Sequence, residues 1–248
     1  MGGILVVGDD EDVGIRAAVA AAARRVRPGR LMWATGAALA AADWIHTVDR
    51  SGLGTTRCGA VARGARVWFR STTVAPVRRW ADPRDTDYAA AEYGALLASW
   101  LRQPETRTVN EVDGASPWGP SWTTARWRKA ATRAGLEAVP LGGVSSARLM
   151  PGPQAATADA DAPCRPSPRS WPGPGVEQVV LVVGEHVIDV DGPAQAAGCE
   201  RLAAAARCAV LEVAFDADGR MADARPLAAV DTPAKIAAVA GFLVVEAS

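Results

Sequence analysis

The sequence has very little lysine and histidine. Among its 27 Lys and Arg residues only Lys129 and Lys235 are lysines, and its 2 histidines are His46 and His186. Lysine is a frequent phosphate ligand and histidine a frequent general base. Arginines would therefore have to replace lysines in any phosphate-binding site. His46, on a predicted strand beside Trp44, is more simply explained as a structural residue.

Several catalytic motifs are also missing. The chain contains no P-loop, no GxSxG and no HExxH sequence, and the stretches GLGTTRCG and GPGVEQ lack the glycine spacing of a dinucleotide-binding turn. These absences argue against a P-loop NTPase, an α/β-hydrolase, a zinc protease and a dinucleotide-dependent oxidoreductase.

Net charge and long apolar segments are lacking as well. The 27 basic and 27 acidic side chains cancel, and without a basic block there is no electrostatic case for binding nucleic acid. No basic segment precedes an apolar run at the N-terminus. The longest late apolar run, residues 236–245, is about half of a membrane span. We therefore expect a cytoplasmic protein with no nucleic-acid or membrane partner.

The 4 cysteines are scattered and form no CxxC pair. They are Cys58, Cys164, Cys199 and Cys208. This spacing predicts free, mostly buried thiols in a reducing compartment, and it gives no support for a metal cluster.

Composition divides the 248 residues into three parts. Residues 1–140 and 176–248 alternate strand patterns with helical patterns, whereas residues 141–175 are dense in proline and glycine and show no period. The chain is therefore predicted to be an α/β protein of two folded units joined by a flexible linker.

The first unit is predicted to contain six strands and three helices. The strands are 4–7, 31–34, 44–48, 55–61, 67–69 and 106–110, and the helices are 12–26, 85–103 and 123–134. A turn at Arg63-Gly64 predicts that 55–61 and 67–69 form a hairpin. In helix 85–103, helical spacing predicts a packed face. That face consists of Tyr88, Ala91, Ala95, Leu96 and Trp100.

The second unit is predicted to contain four strands and two helices. The strands are 179–183, 186–190, 209–215 and 221–230, and the helices are 193–206 and a last one from Thr232.

The acidic cluster Asp9–Asp12, directly after the first strand, admits two interpretations. Acidic side chains at this place hold magnesium in phospho-receiver domains, where a later aspartate and a lysine complete the site. Asp49 and Lys129 are the available candidates, but the strand–helix repeat of a receiver is missing between them. We therefore interpret the cluster as a loop with a helix cap, where negative charge suits the positive end of the helix dipole.

The middle of the chain contains a series of residues that runs from an acidic residue and tyrosine in one helix to a tryptophan-bearing helix that ends in Ala-Gly-Leu and a proline. They are Asp87, Tyr88, Glu92, Ser99, Trp100, Leu101, Val109, Asn110, Trp127, Ala134, Gly135, Leu136 and Pro140. In this series the chain resembles bacterial ATP-grasp ligases that modify ribosomal peptides (the graspetide type). The tail, VVLVVGEHVIDVDG with CAVLEVAFDADGRMADARPLAAVDTP, is similar to the closing half of the ATP-grasp fold.

The resemblance implies a pre-ATP-grasp-like α/β domain over 1–140 and a reduced ATP-grasp-like α+β unit over 176–248, with 141–175 as a linker or vestigial lid. ATP-grasp ligases hold phosphates with lysines on a lid, and magnesium with acidic residues and an asparagine on the last strands. Here the candidate remnants of the metal or nucleotide site are Glu212, Asp216 and Asp231, and the candidate phosphate contacts are Arg148, Arg165 and Arg169. Glu212 could instead face solvent from an ordinary strand.

A second set of residues could form a peptide or partner surface. It consists of Tyr88, Glu92, Asn110, Trp118 and Trp122. Tryptophan is frequent at binding hot spots, although these side chains could equally belong to the core and Glu92 could bond a neighbouring loop.

With the lysines and the lid reduced, the resemblance predicts a non-catalytic protein without a cofactor. Its partner would be a precursor peptide or a pathway enzyme in bacterial natural-product biosynthesis, in a homo- or hetero-oligomer. Two alternatives stay open: an active ligase that uses ATP and Mg²⁺ with a shortened lid, and a small-molecule binding module.

Overall fold

The computed structural model describes residues 3–50, 54–59, 61, 65–72, 82–103, 106–113, 116–140 and 175–248. The predicted linker, 141–175, lies outside these ranges except for its last residue. The candidate phosphate contacts Arg148, Arg165 and Arg169 also lie outside them, as does Cys164.

The described part of the chain alternates strands and helices much as the sequence predicts. Its strands are β1 (Ile4–Gly8), β2 (Leu31–Thr35), β3 (Trp44–Val48), β4 (Gly54–Cys58), β5 (Arg66–Phe69), β6 (Arg107–Thr108), β7 (Gln178–Val183), β8 (His186–Ile188), β9 (Val210–Phe215) and β10 (Met221–Arg225). Its helices are α1 (Val13–Ala23), α2 (Gly36–Ala40), α3 (Pro83–Leu101), α4 (Thr124–Arg133), α5 (Pro193–Ala205) and α6 (Pro233–Ala247).

The first unit is built on a parallel sheet with the strand order β2-β1-β5-β6. All five residues of β1 are buried, as expected for a parallel strand that is covered on both faces. One face of this sheet packs against α1, and the other packs against the C-terminal turns of α3.

The second unit is built on an antiparallel sheet with the order β10-β9-β7-β8. The side chains of β7 alternate, so that Val180 and Val182 join the cluster around α4 and α5, while Leu181 and Val183 join the cluster around α6. Both faces of this sheet are therefore covered by helices.

The predicted hairpin between 55–61 and 67–69 is wrong. β4 pairs with β3, whereas β5 pairs in parallel with β1 and β6. The residue types explain the difference, because Val67, Trp68 and Phe69 are all buried and suit an interior strand. The polar residues of β4 suit a peripheral two-stranded hairpin instead.

The predicted packed face of α3 is also largely wrong. The buried residues are Leu97, Trp100 and Leu101, whereas Tyr88 is 69% exposed. Only the last turns of α3 reach the core beside the parallel sheet. Periodicity over the whole helix therefore predicted the wrong buried face, because the fully buried residues of α3 all lie in its second half.

A single hydrophobic cluster contains residues of both units. Ile15 and Ala18 of α1 share it with Val239 and Leu243 of α6. At Gly14, a Cβ atom would lie 1.5 Å from the carbonyl oxygen of Val230, so the start of α1 approaches the second unit more closely than any side chain allows. Among the described helices, none combines the length and apolar character that a membrane span requires.

Candidate functional site

Glu212, the central candidate for a metal ligand, is buried and bound to an arginine. It lies on β9 directly opposite Arg225 of β10 and is 1% exposed. Its Oε2 accepts hydrogen bonds from Arg225 Nε at 2.5 Å and from the backbone N–H of Ala229 at 3.4 Å. The alternative that Glu212 faces solvent is therefore wrong.

The pKa of Glu212 is set by opposing influences. Burial raises it above the usual range of a glutamate, while the positive charges of Arg225 and Lys235 lower it. Burial is the largest of these causes because it removes the carboxylate from water. The Glu212 carboxylate thus already has internal cationic partners.

Lys235 provides the second cation of this cluster. It lies in the first turn of α6 and is 6% exposed. Its Nζ is 3.3 Å from Asp231 Oδ1 and 3.8 Å from Asp189 Oδ2. Asp231, a candidate remnant, is therefore mostly exposed and paired with a lysine.

Asp216, the remaining candidate, stabilises a turn. Its Oδ1 accepts from the backbone N–H groups of Asp218 and Arg220, and its Oδ2 accepts from Arg220 Nε at 3.0 Å. These hydrogen bonds, that from the Arg220 backbone first, lower the pKa of Asp216 below its usual range. Such a pattern is typical of a structural aspartate between two strands.

Glu212 and Asp216 are too far apart to be direct ligands of one magnesium ion. Mg²⁺ requires oxygen ligands about 2.1 Å away in octahedral geometry. The Cα atoms of Glu212 and Asp216 are about 13 Å apart along the strand, at roughly 3.3 Å per residue, and each carboxylate is held by a different arginine. No group of three or more His, Cys, Asp or Glu side chains suited to a metal occurs in the described ranges.

Two aspartates of the acidic cluster after β1 accept hydrogen bonds from other residues of the chain. Asp9 accepts from Ser71 Oγ at 2.5 Å and from the backbone N–H of Thr72 at 2.8 Å. Asp12 caps α1, and its Oδ2 lies 3.0 Å from Nη2 of Arg70. The structure therefore supports the helix-cap interpretation of Asp12.

Sequence reasoning missed Arg70, which is 2% exposed. Its Nη2 also donates to the carbonyl of Ala228 at 2.7 Å, and its guanidinium lies 5.0 Å from the ring of Trp68. A signal was available: Arg70 directly follows β5 as Asp9 directly follows β1, and the ends of neighbouring parallel strands lie together.

Three of the predicted surface residues lie on α3 or line a pocket against it. Tyr88 and Glu92 are exposed and lie on the same helical face as Ala95. Ala95 lines a mainly apolar pocket of about 370 Å³ together with Trp118. Trp118 is fixed there because its Nε1 donates to the carbonyl of Ser71 at 2.9 Å. We call Tyr88, Glu92 and this pocket the α3 surface.

The other two predicted surface residues have structural roles. Asn110 is 3% exposed. Its Nδ2 donates to the carbonyls of Val210, Trp118 and Pro226, and its Oδ1 accepts from the backbone N–H of Val210. The structure therefore places Asn110 in the interior, where it cannot contribute to a surface.

Trp122 is half-buried. Its ring centroid is 4.6 Å from that of Trp127, its Nε1 donates to Asp113 at 3.1 Å, and Arg126 covers its ring at 4.2 Å. It does not line the pocket of the α3 surface.

Solved structures show where this arrangement of sheets and helices occurs. The ATP-grasp ligase PsnB, in complex with a phosphomimetic variant of the minimal precursor, Mg and ADP, is similar with a TM-score of 0.61 and 15% identity, over 100% of this chain and 99% of that chain. The macrocyclase MdnC of Microcystis aeruginosa, bound with the precursor peptide MdnA, gives 0.58 and 11% identity, over 98% and 99%.

A third similar structure is the RiPP-associated ATP-grasp ligase of Chryseobacterium gregarium, in complex with ADP and a leader and core peptide. It gives a TM-score of 0.55 and 10% identity, over 100% of this chain and 98% of that chain. The chain has an ATP-grasp ligase fold. No protein-family model matches the sequence, and no curated protein matches it either.

The ATP-grasp fold confirms, at the level of architecture, the resemblance seen in the sequence motifs. Within this fold each of the three candidate carboxylates pairs with a basic side chain: Glu212 with Arg225, Asp216 with Arg220 and Asp231 with Lys235.

Proposed function

We propose that the protein is a non-catalytic member of the ATP-grasp fold that binds a precursor peptide or a partner enzyme in a peptide-modifying pathway. The observation that carries this proposal is the state of Glu212. Its carboxylate is buried against Arg225, and a metal ion would have to displace that guanidinium within a region already neutralised by Lys235.

The partner half of the proposal is supported by the α3 surface. Tyr88 is a large exposed aromatic residue on the helical face of Ala95, about two turns before that pocket-lining residue. An exposed aromatic residue and an apolar pocket on one helix suit an extended peptide. Structures of the same fold contain precursor peptides. The precursor peptide would belong to a bacterial natural-product pathway, and binding would take place in the cytoplasm.

The nucleotide half is tested by calorimetric titration with a non-hydrolysable ATP analogue, with and without Mg²⁺. We expect no magnesium-dependent binding. Micromolar, magnesium-dependent binding that disappears in Glu212→Gln but persists in Asp216→Asn would overturn the non-catalytic assignment and place the metal at Glu212.

An active ligase is the second candidate, and one observation favours it. A buried carboxylate whose pKa is raised is a frequent feature of functional sites, and Glu212 has both properties. The contacts to the ATP phosphates would then come from Arg148, Arg165 and Arg169, which lie outside the described residues. In that case, ATP turnover should depend on these arginines.

The peptide half is tested by fluorescence anisotropy with a labelled precursor peptide encoded next to the gene of this protein. We expect Tyr88→Ala to weaken binding about thirtyfold or more, because truncating a hot-spot aromatic typically costs about 2 kcal/mol or more. Val245→Ala is the matched control, since Val245 is 74% exposed on a different helix. Equal affinity of the wild type and Tyr88→Ala would exclude the α3 surface.

A further inference from the structure

A cavity of about 610 Å³ lies where the end of α3, the start of β6 and the turn after α5 meet. It is lined by four arginines and one acidic side chain among the described residues. These are Arg66, Arg102, Arg107, Arg207 and Glu111. Its volume lies within the range of small-molecule sites, roughly 300–1,000 Å³, and it shares no residue with the Glu212 cluster.

Two of the four arginines are already neutralised. Arg207 Nη1 donates to both carboxylate oxygens of Glu111 at 2.8 Å. Arg66 forms an ion pair with Glu246, and it also donates to the carbonyl oxygens of Thr108 and Val109. These contacts fix the walls of the cavity and leave the other two arginines to determine its charge.

Arg102 and Arg107 are exposed, and neither side chain forms a hydrogen bond or an ion pair with another residue in the described ranges. The cavity therefore carries about two surplus positive charges. Between them along the chain, Gln103 lines the same cavity, and its Nε2 is buried without a hydrogen-bond partner among the described residues. A buried amide donor without an acceptor is costly.

We propose that this cavity binds a small ligand that carries a phosphate monoester. Such a group has a charge of about −1.5 to −2 at pH 7 and three acceptor oxygens. It matches the surplus charge of Arg102 and Arg107, and the planar guanidinium fork suits phosphate oxygens. The assignment does not depend on the proposed function, because the residues are different.

The test is calorimetric titration of the full chain with O-phosphoserine at low salt, with serine as the counterpart that lacks the phosphate. We expect O-phosphoserine to bind, serine not to bind, and added NaCl to weaken binding through screening. The double variant Arg102→Gln/Arg107→Gln should lower affinity at least about tenfold, because two charge-assisted hydrogen bonds are lost.

The matched control is Arg24→Gln/Arg25→Gln, which removes the same charge from exposed positions after α1. Circular dichroism verifies that both double variants are folded. If both double variants lose the same affinity for O-phosphoserine, the loss is caused by the change in net charge, and the proposed site is wrong. The proposal also fails if the wild type does not bind O-phosphoserine at low salt.

Discussion

At the scale of single residues, Glu212 shows how a charged side chain becomes buried when helices cover both faces of its sheet. On a half-exposed strand a glutamate would face water. Here α6 covers the face to which Glu212 belongs, so the carboxylate is desolvated and depends on Arg225 and Lys235. It is the only fully buried acidic residue in the described part of the chain.

Replacing Glu212 by glutamine should change how stability depends on pH. The folded-state pKa is raised, so the carboxyl contributes stability that is present below its unfolded pKa and is lost as pH rises through the folded pKa. Glutamine does not titrate. Urea unfolding between about pH 5 and pH 8 measures this difference. The free energy of unfolding of Glu212→Gln should rise relative to that of the wild type as the pH increases.

Asp216→Asn is the control of opposite sign. Because the pKa of Asp216 is lowered, its contribution is present above the unfolded pKa and is lost only as pH falls through the folded pKa. The difference from the wild type should stay constant near neutrality and shrink in acid. A constant difference for Glu212→Gln over the same range would contradict the raised pKa.

The buried cysteines should be chemically silent in the folded protein. Burial raises the pKa of Cys199 and of Cys208 to about 12, so almost no thiolate exists at pH 8. In a Cys164→Ser variant, a thiol reagent should react with no cysteine until guanidinium chloride is added, and then with Cys58, Cys199 and Cys208. Rapid reaction of the folded variant would mean that a thiol is accessible.

At the scale of elements, sequence patterns predicted where helices and strands occur better than they predicted which side chains contact each other. The predicted strand 209–215 and helix 123–134 correspond closely to β9 and α4, because their periodicity and terminal signals are local. The partner of Glu212 was not predictable in this way. Regular pairing around the turn would place Ala224 opposite Glu212, but an irregularity between Met221 and Asp223 brings Arg225 there instead.

The contact of α1 with the second unit can be tested at two glycines. Gly14→Ala should destabilise the protein by about 1–3 kcal/mol, since overpacking of this size has that cost and the new Cβ would meet the Val230 carbonyl. Gly241→Ala in α6 is the control. A Cβ there meets nothing within 4 Å, so the helix should gain roughly 0.5–1 kcal/mol. Urea unfolding measures both, and a neutral Gly14→Ala would contradict the close approach.

At the scale of the whole molecule, long-range contacts decide the arrangement, and no local pattern predicts them. The sequence placed Asn110 among the candidates for a peptide-binding surface. In the structure its amide forms hydrogen bonds with the backbone of Val210 on β9, which is 100 residues away along the chain. The division of the sequence at residue 140 likewise gave no sign that α1 and α6 share one core. Pairing across such distances depends on the complete fold.

Removal of the Asn110 amide should therefore affect both units together. Asn110→Ala leaves the buried N–H and C=O of Val210 without their side-chain partners, which should cost at least about 2 kcal/mol. Urea unfolding followed by circular dichroism and by tryptophan fluorescence should shift equally in both signals. A shift confined to one signal would mean that the two units unfold independently.

The packing of α6 on α1 has a consequence for synthesis. The apolar face of α1 ends at Ala23, whereas its partner helix α6 ends only at Ala247. Since a nascent chain emerges at about 5–20 residues per second, that face waits for more than ten seconds without its final cover. Chaperone engagement should therefore begin when α1 emerges and end only when α6 has emerged.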